Sequence, residues 1–154
     1  MRRHNLEKSS ISIDAEVSTS SKVYANVTEL EQVTLNFVIN AQQAIESAGK
    51  ASGRILIRLN EAGPKVRLEV QDDGPGVPRE NEPKLFQPFF TTKPVGKGTG
   101  LGLSVSYGII DSYGGTIGCH ENEWNGATFF FELPVADADR GNVISVAGAK
   151  DSIV

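Results

Sequence analysis

The chain has 154 residues, a formal net charge of −4, 39% hydrophobic and 22% charged residues, which is typical of a soluble globular domain with a real core. The absence of dense Lys/Arg tracts argues against nucleic acid as the main partner, and no apolar run approaches the ~20 residues of a membrane span. The single cysteine, Cys119, excludes an internal disulfide, and without a signal peptide or a zinc-type Cys/His cluster we expect a domain of the reducing cytosol.

The N-terminal third of the sequence predicts two strands and a long helix. Residues 1–9 are polar and are interpreted as the remnant of a preceding helical linker, whereas apolar and polar residues alternate over 11–17, as in a half-buried strand. A second short strand is predicted at 22–25. A helix is predicted to begin at Thr28, where the Thr-x-x-Glu pattern of a capping box occurs, and to end at Gly49.

The rest of the chain alternates between short strands and helical segments. Strands are predicted at 54–60, 65–71, 116–120 and 127–133, with a helical turn after Pro83 and a helix over 101–113. The expected fold class is α+β: a two-layer α/β sandwich with a mixed, mostly antiparallel sheet covered on one face by about three helices. The domain is predicted over residues 10–135, followed by a disordered tail over 136–154. Cys119 falls in a predicted strand, where a structural thiol is favoured over a reactive one.

A glycine-rich stretch at 96–103 stands out among the motifs. Its glycines alternate, and an apolar, helix-compatible run follows. Glycine lets the backbone approach a ligand closely, and a helix beginning there presents free N–H groups to phosphate. The stretch matches neither the Walker pattern nor G-x-G-x-x-G. Considered alone, a flexible loop without a ligand is an equal alternative.

Polar residues of the predicted long helix form a second candidate. Glu29, Gln32, Asn36, Asn40 and Gln43 recur at three- and four-residue steps, beside the apolar face. Asn36 and Asn40 lie one turn apart and can face the same cleft. There a side-chain carbonyl oxygen suits Mg²⁺, which takes its other ligands from water and phosphate. A solvated helix face is the alternative.

Three further segments carry possible chemistry. The run 72–77 (Asp-Asp-Gly-Pro-Gly-Val) follows a strand, where a fixed carboxylate can accept a hydrogen bond from the exocyclic amine of adenine; a plain turn is the alternative. Residues 85–93 contain three of the seven phenylalanines and predict a hydrophobic plug or the hinge of a lid. Lys93, the last residue of this segment, is predicted either to contact a phosphate or to be solvated. Residues 126–128 (Gly-Ala-Thr) enter the last strand, where a turn is the default.

Together and in this order, these segments resemble the ATP-binding catalytic domain of bacterial sensor histidine kinases. That domain belongs to the superfamily that includes the ATPase domains of DNA gyrase, the heat-shock chaperones and the mismatch-repair protein MutL. The resemblance runs from about Ile11 to Pro134: 30–41 looks like the N box, 72–76 the first glycine box, 86–90 the F box, 98–103 the second glycine box and 126–128 the last. The run 88–93 is most similar to kinases of the nitrogen-regulation type.

The resemblance implies the Bergerat α/β sandwich and a role for individual residues. Asn36 and Asn40 would be the catalytic residues, with Asn40 binding Mg²⁺, and Asp72 would contact the adenine amine. Residues 91–100 would form a lid over ATP. The residues implied to contact ATP are Asn36, Asn40, Gln43, Asp72, Gly74, Gly76, Val77, Phe86, Lys93, Gly98, Thr99, Gly100, Leu101, Gly102, Leu103 and Thr128.

The implied reaction is transfer of the γ-phosphoryl group of ATP to a histidine. In ATP-hydrolysing relatives, a glutamate that activates water stands at the position that Asn36 resembles. An amide cannot act as that base, so ATP hydrolysis by the domain alone is disfavoured. Catalysis would then depend on positioning of the reactants and on charge neutralisation by Mg²⁺. Gln43 departs from the family, which often has a basic residue there. Neither His4 nor His120 lies in a phosphoacceptor context, so we expect the acceptor on a separate dimerisation domain of the same kinase.

Other partners and alternative functions follow from the same resemblance. A response regulator receiver domain is expected downstream, and the fragment itself is expected to be a cytoplasmic monomer that does not contact the membrane, even where the parent kinase is membrane-anchored. A nucleotide-binding regulatory module without transfer activity, whose lid changes a protein contact, is one alternative. A serine kinase of the anti-sigma type is another, because it would share the motifs and differ only in the acceptor.

Overall fold

The structure is a computed structural model that describes residues 10–88, 102–136 and 143–146. Its strands are β1 (Ser10–Val17), β2 (Lys22–Tyr24), β3 (Ser52–Ala62), β4 (Lys65–Asp72), β5 (Thr116–Glu121), β6 (Ala127–Pro134) and β7 (Val143–Ser145); its helices are α1 (Val27–Ser47), a 3₁₀ helix (Arg79–Lys84) and α2 (Gly102–Ser112). The predicted lid at 91–100 and the linker at 1–9 lie outside the described residues.

Five strands form one sheet in the order β1-β3-β4-β6-β5. The pair β1–β3 is parallel, because α1 carries the chain across between them, and the other pairs are antiparallel. β3 and β4 form a hairpin in which Ala62 pairs with Lys65, and Gly63 takes the left-handed conformation (φ 63°) that the tight turn requires. The mixed, mostly antiparallel sheet predicted from the sequence is confirmed.

The helices cover one face of this sheet and enclose the core. The buried face of α1 follows the three- and four-residue apolar period; Phe37, at its centre, lies 5.6 Å from Phe129 and 6.4 Å from Phe131 between ring centroids. Ile110 of α2 is also buried. Two layers therefore share one hydrophobic core, as the predicted sandwich requires. Among the described residues, no helix has both the length and the apolar character to cross a membrane.

The start of α1 differs from the sequence prediction. The helix begins at Val27 and its N-cap is Asn26, whose side-chain oxygen accepts a hydrogen bond from the backbone N–H of Glu29 (3.2 Å). The prediction that Thr28 caps the helix is wrong. The sequence offers two overlapping cap patterns, and Tyr113 selects the earlier one, since its hydroxyl accepts from the Asn26 N–H (3.1 Å) and donates to the Glu29 carboxylate.

One strand of a second, two-stranded sheet lies in the predicted disordered tail. β7 pairs antiparallel with β2, where Val23 lies opposite Ile144. Val146 is fully buried and Ile144 packs against the core. The prediction of disorder is therefore wrong for residues 143–146. A three-residue strand is too short to show a period of its own, and it gains partners only when the chain brings the edge of β2 to it.

Cys119 lies in β5, half-buried against the core. Burial is the main cause that raises the pKa of its thiol to about 12. A thiol with this pKa stays protonated at neutral pH and is a weak nucleophile. The predicted structural role agrees with this position.

Candidate functional site

The site is centred on the carboxylate of Asp72 at the end of β4. Asp72 is 1% exposed, and its Oδ1 accepts hydrogen bonds from the backbone N–H groups of Gly74 (2.9 Å) and Ala127 (3.3 Å). Its Oδ2 is buried and has no partner among the described residues. Burial is the main cause that raises the pKa of this carboxyl above its ordinary value. A buried acceptor without a partner is costly, so its position suits a ligand that brings a donor.

Small residues let the chain close tightly around this carboxylate. A Cβ on Gly126 would lie 2.1 Å from the backbone oxygen of Asp72, and one on Gly74 would lie 3.1 Å from Oδ1 of Asp72 and 3.3 Å from the Cβ of Ala44. Gly76 has φ +79°, which an L side chain rarely adopts. Val77 follows, half-buried against the core. The predicted glycines at 74 and 76 therefore line the site for steric reasons.

The opposite end of the site is formed where α1 meets α2. Asn36 donates from Nδ2 to the backbone oxygen of Gly102 (3.2 Å) and to Oγ of Ser106 (3.1 Å). The Ser106 hydroxyl donates in turn to the Gly102 oxygen (2.9 Å). Asn36 thereby ties α1 to the first turn of α2, whose N-terminus carries the positive end of the helix dipole. Ser106 is fully buried and was not recognised from the sequence.

Helix α1 connects the two ends. Eight residues separate Asn36, beside α2, from Ala44, beside Gly74, which corresponds to ~12 Å along a helix. The half-buried Asn40 and Gln43 lie between them on the polar stripe. The Oε1 atom of Gln43 is buried and has no partner among the described residues. The stripe predicted from the sequence thus runs along α1 between a buried carboxylate and the N-terminus of α2.

Two of the remaining predicted site residues pack beside α2 or the core, and five lie outside the described residues. Phe86 is half-buried, and its ring centroid lies 6.4 Å from that of Tyr107; Leu103 packs against the core. The residues Lys93, Gly98, Thr99, Gly100 and Leu101 lie outside the described part of the chain.

The Thr128 side chain is linked to Asp72 through Asn122. It pairs with Gln71, and the next residue, Phe129, points into the core, so the Thr128 side chain belongs to the opposite face of the sheet. Its hydroxyl accepts from Nδ2 of Asn122 (3.2 Å), which also donates to the backbone oxygen of Asp72 (2.9 Å). Sequence reasoning missed Asn122, because a lone Asn before a turn carries no signal beyond the turn itself.

Comparison with known proteins relates this chain to a family of ATPases. Residues 25–137 match the family of histidine kinase-, DNA gyrase B- and HSP90-like ATPases. The sensor kinase CckA of Brucella abortus is 40% identical over 123 residues, which is 73% of this chain and 13% of CckA. This chain therefore spans a small part of that curated relative.

Solved structures of kinase domains share the fold. The nucleotide-free catalytic domain of the histidine kinase ThkA has a TM-score of 0.70 and 40% identity, covering 81% of this chain and 79% of that domain. ThkA in complex with the response regulator protein TrrA has a TM-score of 0.62 and 34% identity, covering 84% of this chain and 36% of that one. Full-length ShkA in complex with AMPPNP has a TM-score of 0.70 and 33% identity, covering 83% and 26%.

Proposed function

Because the chain belongs to the family of histidine kinase-, DNA gyrase B- and HSP90-like ATPases, we propose that it is the ATP-binding catalytic domain of a sensor histidine kinase. ATP binds along α1, with the base at Asp72 and the phosphates towards α2. The AMPPNP complex of the related ShkA supports a nucleotide in such a domain.

The observation that carries this proposal is the unpartnered, buried Oδ2 of Asp72. The exocyclic amine of adenine supplies the missing donor, and a hydrogen bond to a charged acceptor contributes about 1.5–3 kcal/mol. Guanine presents a carbonyl at the corresponding position, which would face the carboxylate with a second acceptor. In this proposal base selection therefore follows from one oxygen atom, which the surrounding glycines let the chain enclose.

The phosphate end is supported by α1 and α2 together. The first turn of α2, held by Asn36, directs its dipole towards negative charge. The amide oxygens of the stripe are hard ligands that suit Mg²⁺, and we assign Asn40 as the ligand. When bound, Mg²⁺ neutralises charge on the phosphate oxygens. The proposed lid at 91–100 remains a prediction.

Asn36 favours phosphoryl transfer over hydrolysis. Its Nδ2 donates two hydrogen bonds within the site, and an amide does not remove a proton from water near neutral pH. The proposed acceptor of the phosphoryl group is a histidine imidazole on a dimerisation domain. A response regulator is proposed to receive the group next, and the complex of the related ThkA with the response regulator protein TrrA supports this step. The run at 88–93 supports membership of the nitrogen-regulation type.

Two measurements test the proposal. Calorimetric titration with ATP, ADP and GTP, with and without Mg²⁺, should show adenine-selective binding that Mg²⁺ alters and that Asp72→Asn weakens about 10- to 100-fold. Labelled ATP with a histidine-bearing dimerisation domain should then give an acid-labile phosphohistidine, reduced in Asn40→Ala. Binding without transfer would favour the regulatory module instead, and an acid-stable phosphoserine would favour the serine kinase.

A further inference from the structure

Asn122, in the turn between β5 and β6, forms hydrogen bonds with both polar atoms of its side chain. Nδ2 donates to the backbone oxygen of Asp72 (2.9 Å) and to Oγ1 of Thr128 (3.2 Å). Oδ1 accepts from the backbone N–H groups of Trp124 (2.8 Å) and Gly126 (3.1 Å). Both contacts of the nitrogen are acceptors and both contacts of the oxygen are backbone donors, so the network also determines the orientation of the amide.

These bonds join the turn to the residue that selects the base. Asp72 is held at its backbone oxygen by Asn122 and at Oδ1 by the Ala127 N–H (3.3 Å), one residue beyond Gly126. A Cβ on Gly126 would overlap Asp72, so the turn lies directly against it. The direction of Oδ2 therefore depends on where the β5–β6 turn lies relative to the end of β4.

The same turn is anchored on its other side to β3. The Arg54 guanidinium lies 4.0 Å from the centroid of the Trp124 ring. The Arg54 backbone N–H donates to Oδ1 of Asp73 (2.9 Å), and its Nε lies 3.5 Å from Oδ2 of Asp73. Asn122 thus connects Asp72 to a turn that cannot shift without breaking contacts to the neighbouring strand.

From this geometry we propose that Asn122 is a positioning residue for base selection. It aims Oδ2 of Asp72 at the six-position of the purine by holding the Asp72 main chain against the β5–β6 turn. The inference rests on the proposed function and adds a determinant of specificity that lies outside the predicted motifs. An Asn that served only the turn would support stability and would affect all nucleotides alike.

The test compares two variants of Asn122 with a control in the same turn. Asn122→Asp keeps an oxygen for Trp124 and Gly126 and removes the donor to Asp72, whereas Asn122→Ala removes all four bonds. Asn125→Gly is the control, because Asn125 is exposed, has φ 63° and makes no side-chain contact in this network. Circular dichroism sets a temperature at which each variant is folded, and Trp124, the single tryptophan, reports nucleotide binding by fluorescence.

The measured quantity is the ratio of dissociation constants for inosine triphosphate and ATP, which differ at the six-position. We expect both Asn122 variants to lower this ratio about tenfold, as the loss of one well-aligned hydrogen bond does, and Asn125→Gly to leave it unchanged. In an Asp72→Asn background, Asn122→Ala should change the ratio no further.

Three outcomes would overturn the inference: an equal loss of affinity for both nucleotides, an unchanged ratio, or loss of folding in both Asn122 variants. Each would assign Asn122 a structural role alone. A wild-type domain that does not distinguish the two nucleotides would instead refute the proposed function, so the two failures can be told apart.

Discussion

At the scale of single residues, Asp72 combines its proposed role in binding adenine with a cost to stability. Burial raises its pKa in the folded domain above its value of 3.8 in the unfolded chain. The fold therefore favours the protonated carboxyl, so its contribution to stability is present below pH 3.8 and is lost as the pH rises through the folded pKa. Above the folded pKa, the ionised, half-satisfied carboxylate opposes folding.

We predict that Asp72→Asn stabilises the nucleotide-free domain at pH 7.5 while it weakens ATP binding. The amide keeps an oxygen for the N–H groups of Gly74 and Ala127 and removes the buried charge. Urea unfolding between pH 4 and pH 7.5 should show a gain over wild type that shrinks towards the lower pH. A lower free energy of unfolding at pH 7.5 would contradict this account.

Two glycines form a matched pair for steric effects. A Cβ on Gly126 would meet the backbone of Asp72 at 2.1 Å, whereas one on Gly108, exposed on α2, would meet nothing within 4 Å. Gly126→Ala should lower the free energy of unfolding by about 2–3 kcal/mol, and Gly108→Ala should raise it by about 1 kcal/mol. Chemical denaturation measures both, and similar values for the two would show that Gly126 is not needed for close approach.

At the scale of elements, Tyr113 fastens the start of α1 to the end of α2. Its hydroxyl bridges the Asn26 N–H and the Glu29 carboxylate, which completes the cap of a 21-residue helix. We expect Tyr113→Phe to cost about 1 kcal/mol of stability. Tyr107→Phe is the control, since Tyr107 is 48% exposed and should change stability little. Equal thermal melting curves for both variants would argue against the bridge.

At the scale of the whole molecule, the segment that contains β7 contributes to the core, although it lies beyond the residues that match the family. Val146 is fully buried, although the match ends at residue 137. Val146→Ala should lower the free energy of unfolding by about 2 kcal/mol. Val135→Ala, at a position that is 40% exposed, should cost no more than about 0.5 kcal/mol. A neutral Val146→Ala would mean that the β2–β7 sheet adds nothing to stability.

Features that depend on residues close together in the sequence were predicted correctly, whereas features that depend on residues far apart in the sequence were not. The period of α1 and the alternation in β1, β3, β4 and β6 are local, and these elements were predicted to within a few residues. The cap of α1 was misplaced because Tyr113, 87 positions from Asn26 along the chain, decides between two local patterns. Asn122 and Ser106 were missed for the same reason, since their partners Asp72 and Asn36 are distant in sequence.

By itself, the sequence determined the fold class, because the hydrophobic period is local to short segments, and its ordered motifs resemble the family that the comparisons then showed. Only the tertiary structure decided that Oδ2 of Asp72 is the unpartnered oxygen among the described residues, that Asn122 links Thr128 to Asp72, and that β7 belongs to the domain. Burial and hydrogen-bond satisfaction are properties of the packed chain, since each depends on atoms that only folding brings together.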